Sequence, residues 1–540
     1  MPSPEKLGPS TSCESSFQTA NSWLQSCCDN HSSCARYSTT STKWHPTRLI
    51  DLGPEGSAYW RFRDTTRDGP VSSEEAYIAL SYRWGQTPSI LLLTSTIDDF
   101  FRGRPIQNLP RTFRELALVA RRFSVRYIWI DALCIIQDSK EDWDVQALTM
   151  RQVYSNALCT VAASASSDEE GGLFRERTPS DILPAAIDLS INEHGSSQRF
   201  CVYERDYWDK NIFAGPLHKR GWVFQERHLS PRVLYFGESQ ILWECFNEAK
   251  CEGFPGGTPF YWSNKNLYAL WDQQDGKKTL PAADHEFQGA MPLHIYSFWR
   301  DLVKAYSQCN LTKMSDKLPA FAGIAKVFQE TTDDEYLAGL WRTRLLEGLD
   351  WRVEEPAPRS CDDYRAPSWS WASIDGPVKP MLPGAISEHL LEVVDAQVKP
   401  KGVDMMGEVT SSRLVVRGAV TSVMIDTVKD DEYSVSILSN GRYLRVKLRL
   451  CFDSQGDEFS ENQAIYILPL NSRLAGYPPV HHSEVMFLVV EPVTSGQTLL
   501  FRRMGYFTSV DGEFLQCLGF SDRGDGLMVL RFKSDILTIV

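Results

Sequence analysis

The sequence predicts an α/β domain built on a parallel sheet with crossover helices, followed by a helical region and a carboxyl-terminal, antiparallel β-rich domain. Three observations predict it. Between residues 76 and 163, apolar runs of strand length alternate with amphipathic helical stretches, the pattern of parallel strands joined by crossovers. Around residues 295 to 346 the apolar spacing is helical. Beyond residue 385 it becomes two-residue alternation broken by Gly, Ser, Asn and Asp.

Taken in order, AYIALSYRW (76–84) reads as a strand that is apolar first and polar at its end. TFRELALVARRF then places Phe113, Leu116, Ala117 and Ala120 on one helical face. RYIWIDALCII is a continuous apolar run of the kind buried on both faces of a sheet, interrupted by the acid Asp131. Ser139 with Asp142 three residues on marks a helix start, and DWDVQALTMRQVYSNA repeats apolar residues at Trp143, Ala147, Met150 and Tyr154. LCTVAA (158–163) is the third strand. Further on, Ile295, Phe298, Trp299, Leu302, Val303 and Tyr306 mark a helix, and KLPAFAGIAKVF and YLAGLWRTRLL are read as helical too. RLVVRGAV, RYLRVKLRL, AIYILPL, EVMFLVVEPV and GLMVLRFKS read as half-buried strands of a small sandwich or barrel. Val446, Leu448 and Leu450 alternate there with Arg445, Lys447 and Arg449. The expected organisation is a Cys- and Ser-rich, partly disordered arm at 1–45, the α/β domain at 46–250, a helical region at 251–384 and the β-rich domain at 385–540.

Composition narrows the function classes. A chain of 540 residues, 42% hydrophobic and 23% charged, is long enough for more than one core. Its net charge of −13 argues against a nucleic-acid partner, which needs Lys and Arg to neutralise phosphates. The sequence has no run approaching the roughly 18 apolar residues of a membrane span and no apolar signal at its start. Thirteen cysteines spread over the length fit a reducing compartment better than a disulfide framework, so a cytoplasmic protein is expected.

Polar clusters at strand ends are the candidate site, because open parallel sheets bind ligands outside the carboxyl ends of their strands. One cluster is Ser81, Tyr82, Arg83, Trp84 and Gly85; the second is Asp131. If their strands are neighbours, Arg83, Trp84 and Asp131 share one rim able to hold a nucleotide or sugar by charge-assisted hydrogen bonds and stacking. A strand-end Asp equally caps turns, and a Trp beside Gly equally anchors packing. A third cluster gathers Arg220, Gln225, Glu226 and Arg227 around Trp222 and Phe224, where Glu226 is a candidate partner for Arg83 or Arg220. No glycine-rich phosphate loop follows the first strand, and no cofactor is expected. Cys134, in an apolar strand, reads as packing rather than as a nucleophile served by His218 or His228. Cys27, His31 and Cys34 would share a helical face and have zinc-ligand chemistry, but without a second ligand pair no metal is expected.

Together, YIALSYRWG, LPRTFRELALVARRF, RYIWIDALCIIQD, DWDVQALTMRQVYSNA, GGLF, RGWVFQERHLSPRVLYF and LWEC resemble, in order and spacing, the fungal heterokaryon incompatibility (HET) domain from Tyr77 to Cys245. PTRLIDLG (46–53) and APSWSWASIDG (366–376) resemble its companions in long fungal proteins. The resemblance makes Ser81, Tyr82, Arg83, Trp84, Gly85, Trp129, Asp131, Cys134, Gln137, Arg220, Gly221, Trp222, Gln225 and Glu226 signature positions. It implies a part in non-self recognition and programmed cell death, with protein partners and self-association. It also implies a fold similar to Toll/interleukin-receptor (TIR) domains, some of which cleave NAD with a helical glutamate. Here Gln146 and Ala147 stand after Trp143 where that glutamate is expected, so Asp131, Glu226 and Asp144 (or Glu141) are the catalytic candidates.

Overall fold

A computed structural model describes residues 7–35, 44–190, 197–258, 265, 267, 270, 290–358, 364–381, 386–429, 432–439, 442–475, 482–495, 498–523, 527–530 and 535–540. The chain divides into two units, Met1–Lys278 and Thr279–Val540.

The first unit opens with a helix in the arm expected to be partly disordered, α1 (Glu14–Asn30), and a turn of helix, α2 (Ser32–Ala35). Phe17, Ala20, Trp23, Leu24 and Cys27 fall on one face of α1 and are buried, which is what holds a short, polar-rich helix in place. Phe17 meets Phe174 edge-on at 5.9 Å, and Trp23 Nε1 donates to the Pro255 carbonyl at 3.2 Å.

The sheet begins with β1 (Arg48–Asp51), β2 (Tyr59–Asp64), β3 (Tyr77–Ser81) and, after α3 (Ile97–Arg102), β4 (Arg104–Pro105). Next come α4 (Arg111–Arg122), β5 (Tyr127–Trp129), α5 (Asp131–Cys134), α6 (Lys140–Asn156) and β6 (Cys159–Ala162). A separate hairpin, β7 (Ala185–Ser190) and β8 (Ser197–Val202), precedes α7 (Tyr207–Ile212), α8 (Gly221–Leu229), β9 (Arg232–Phe236), β10 (Ile241–Cys245) and β11 (Ala249–Cys251). The nine-stranded order is β11-β10-β9-β6-β3-β5-β1-β2-β4.

Its centre is parallel as expected. Ala79 pairs with Trp129 on one side and Thr160 on the other, and Val161 pairs with Leu234. The flanks are antiparallel, so the sheet is mixed rather than wholly parallel. The reason is loop length: the turn closed by Gly237 N–H to the Gln240 carbonyl is too short for a crossover, and β10 must fold back on β9. The apolar run of β5 also ends early. After Ile130 the chain coils into α5, with Asp131 as its first residue. In α6 the buried face is Gln146, Met150, Val153 and Tyr154, whereas Trp143, in the first turn, is exposed although its spacing puts it in line with Met150 and Tyr154. Ser139 caps α6, its side chain accepting from the Asp142 amide.

In the second unit, α9 (Leu293–Ser307) and α10 (Pro319–Thr332) pack through Trp299, whose ring lies 5.1 Å from Phe321 and 5.0 Å from Phe328. YLAGLWRTRLL is helical only in its second half, a 3-10 turn at Arg342–Arg344 leading into a helical turn at Leu345–Gly348. Ala338 and Gly339 take φ values of 48° and 100°, turning Tyr336–Leu337 back onto Leu340–Trp341. The Trp371 indole of the WSWAS motif donates to the Gly339 carbonyl at 2.8 Å and locks that turn. Beyond it lies an eleven-stranded sheet, antiparallel except where Thr498–Ser509 runs parallel to Asp535–Ile539, with Phe520–Asp522 and Met528–Leu530 in a separate hairpin, where the sequence suggests a sandwich or barrel; the alternation holds, Val446 opposing Val435. Leu349 and Trp351 are tied to this sheet by Arg503, which donates to their carbonyls at 2.8 and 2.7 Å and pairs with Asp453. No helix among the described residues is long and apolar enough to cross a membrane.

Candidate functional site

The parallel strands follow the chain order β3, β5, β6, β9 but lie as β5-β3-β6-β9. The connections leaving β3 and entering β6 therefore run in opposite directions. In open α/β sheets such a reversal, here at the carboxyl ends of β3 and β6, marks the place where ligands bind. Ser81 ends β3 at this point, Tyr82 to Gly85 follow it, and Ser164 lies just past β6.

Because β3 and β5 are neighbours, the rim anticipated from the sequence forms in part. Trp84 Nε1 donates to Asp131 Oδ2 at 2.7 Å, and the Ala132 amide donates to Asp131 Oδ1 at 2.7 Å. Loss of water pushes the Asp131 carboxyl up, while Trp84, Arg220, Ala132 and Tyr82 pull it down. Arg220 precedes α8 and donates to the Tyr82 carbonyl at 3.0 Å, fastening the start of α8 to the loop after β3. Arg83 does not join this group; it is exposed.

Glu226 sits one turn and a half into α8, buried at 6% exposure. Its Oε2 has no hydrogen-bond partner among the described residues, and neither has the nearby Ser81 hydroxyl. Desolvation raises the carboxyl to about 7, with Asp131 adding to the shift and Ser81, Arg220 and Tyr154 opposing it. A buried carboxyl that titrates near neutrality, beside a second acid and a guanidinium, is the arrangement used for acid–base or cation-stabilising chemistry.

The remaining signature residues build the walls. Trp129 is buried against Tyr154, ring centres 5.7 Å apart. Gln137 donates to the Asp131 and Ile135 carbonyls at 3.1 and 2.9 Å, closing the turn below Asp131. Trp222 meets Trp143 edge-on at 6.2 Å, which joins α8 to α6, and Gly221 and Gln225 are buried in α8. A Cβ at Gly85 would lie 2.8 Å from Glu169 Oε2, so a side chain there must displace that carboxylate. That carboxylate accepts from the Gly85 and Ser89 amides, both at 3.0 Å. Cys134 is buried and its thiol pushed up to about 12 by desolvation; burial likewise lowers His218 and His228 to about 3. None of these has the character of a nucleophile–base pair.

Of the acids in α6, Asp144 pairs with Lys140 at 2.9 Å on the exposed face. Glu141 accepts from Ser139 at 3.1 Å, and Asp142 is taken by Arg48. These acids are engaged outside the Asp131–Glu226 cluster. Tyr154 and Glu169 belong to the site without having been singled out in the sequence. Tyr154 was legible only as a core aromatic, and Glu169 lies in a loop without periodicity.

Residues 77–226 match the family model "Heterokaryon incompatibility protein (HET)". The protein "Heterokaryon incompatibility protein 6, OR allele" of Neurospora crassa is 31% identical over 117 residues, 20% of this chain and 17% of the relative. The chain thus spans a small part of that relative's length. No solved structure matches the chain.

Proposed function

This chain carries a HET domain over residues 77–226, and from that premise we propose that it acts in fungal non-self recognition, as an effector of the cell-death response. The α/β domain at 46–250 delivers the response through the Asp131–Glu226 cluster, and the regions 251–384 and 385–540 sense the partner or restrain the domain. The setting is the cytoplasm, and the partners are proteins, other copies of the chain among them. The observation that supports this reading is the buried Glu226 carboxyl at the strand-order reversal, raised to about 7 by desolvation beside Asp131 and Arg220. Expression of the full chain in a fungal host is expected to arrest growth. Glu226→Gln and Asp131→Asn, accumulating to the same level, are expected to let the host grow. Unimpaired growth with abundant folded wild-type protein refutes the proposal.

A second reading is enzymatic, an NAD glycohydrolase of TIR-like type. Two observations favour it: the β5-β3-β6-β9 order, which matches a doubly wound nucleotide-binding sheet, and Glu226 itself. Ionised Glu226 would face the oxocarbenium-like centre as the bond from ribose C1′ to nicotinamide nitrogen breaks. Water then attacks C1′ and its proton passes to the carboxylate. Nicotinamide release by purified protein tests it. No release at any concentration, including self-associated protein, rules it out and leaves the protein–protein reading.

A further inference from the structure

Four side chains with soft-donor chemistry meet where the amino-terminal helices dock on the sheet. Cys27 lies in the last turn of α1, His31 directly follows it, Cys34 is in α2, and Cys245 ends β10. One donor atom from each lies within 4.8 Å of all the others. His31 Nδ1 and Cys245 Sγ, 214 residues apart in the chain, are 3.4 Å apart. Zinc bonds of about 2.3 Å to sulfur and 2.0–2.1 Å to nitrogen place tetrahedral ligands roughly 3.5–3.8 Å from one another. The group needs only to tighten slightly around an ion.

Charge gives an independent argument. Arg232 is 1% exposed and donates to Cys27 Sγ at 3.2 Å and to the Cys34 and Leu158 carbonyls, both at 3.2 Å. No carboxylate pairs with it among the described residues. A buried guanidinium requires a counter-charge. Three thiolates and a neutral imidazole around a divalent ion sum to −1, which Arg232 balances. Neutral thiols would leave the guanidinium uncompensated.

We propose that Cys27, His31, Cys34 and Cys245 bind one zinc ion that fastens the amino-terminal helices to the sheet. Four protein ligands leave no open position, so the site is structural rather than catalytic. The mixed sulfur and nitrogen set, and a cluster sized for one ion, favour zinc over an iron–sulfur centre, which takes sulfur ligands almost throughout. On binding, the three thiols release three protons to solvent and no electron is transferred. Sequence reasoning stopped at three ligands because the fourth, in LWEC, comes from a strand far along the chain.

The test is metal analysis of the full chain purified without chelator. About one zinc per chain is expected, lost in Cys245→Ser and in His31→Ala but kept in Cys28→Ser, whose cysteine is exposed. Should the ligand variants fail to fold, cobalt added to metal-stripped wild-type protein provides the second readout. Tetrahedral ligand-field bands together with sulfur-to-cobalt charge transfer support the site. Wild-type protein without zinc after incubation with the ion, or without those bands, overturns it; so does full zinc content in Cys245→Ser, or a disulfide among the three cysteines.

Discussion

Trp84 donates its indole N–H to the Asp131 carboxylate at 2.7 Å, so the ends of two adjacent parallel strands are bound by a single charge-assisted hydrogen bond. If the bond serves the scaffold alone, Asp131→Ala, which also strips the Ala132 amide of its acceptor, costs at least as much as Trp84→Phe, and the double variant costs little more than Asp131→Ala. Each is expected to lose about 1–3 kcal/mol in urea unfolding, with a clear coupling in the double-mutant cycle. Asp131→Asn keeps an acceptor for the indole and is expected to retain most of that stability while losing the growth arrest. Loss of both together marks Asp131 as structural.

Glu226 gives the pH prediction. Its carboxyl titrates at about 7 in the folded chain against an ordinary value of 4.5. The unfolded chain therefore releases this proton first, and stability falls as pH rises between those values. Glu226→Gln is expected to flatten that decline and, above pH 7, to be the more stable protein by up to on the order of 3 kcal/mol. Thermal unfolding from pH 5 to 8 checks it, and a parallel slope in both proteins refutes it. If NAD is cleaved, the rate is expected to rise through the same window as the carboxylate forms.

Gly85→Ala places a Cβ against Glu169 Oε2. The carboxylate must then release one of two amides, a loss of about 1–3 kcal/mol by chemical unfolding. Shortening the acid with Glu169→Asp is expected to recover part of that loss in the double variant.

Arg503 and Asp453, 0% and 1% exposed, form a buried ion pair in the second unit, with the guanidinium 3.4 Å over the Trp351 ring. Asp453→Asn is expected to cost about 3–5 kcal/mol, since it leaves a buried cation without its counter-charge. Zinc content, set in the first unit, is expected to be unchanged.

The legible parts of the molecule were those where pattern and burial coincide. Tyr77–Ser81, Tyr127–Trp129 and Cys159–Ala162 are buried on both faces, and their apolar runs said so. The rim was legible because a parallel sheet puts SYRWG and Asp131 at the same end once β3 and β5 adjoin. Contacts between distant segments left no local mark. Cys245 completes a cluster begun at Cys27, and the Glu226 carboxyl is raised by burial and Asp131 while Ser81 of β3 and Tyr154 of α6 oppose the shift. Trp143 keeps the helical spacing of Met150 and Tyr154 yet is exposed in the first turn of α6, while the polar Gln146 is buried, and spacing alone marks neither. The YLAGLWRTRLL hairpin was missed because helical and hairpin spacings are alike over a few residues, and Ala338 at positive φ has no sequence signal.

The matched segment, residues 77–226, ends before β9 and begins after β1, yet β6 pairs with β9 and β5 with β1. A fragment cut at those borders would carry two bare strand edges, β6 and β5, each presenting free amide and carbonyl groups to the next copy. Such a piece is expected to associate edge to edge, so growth arrest by a fragment cut there does not report the signalling of the intact protein.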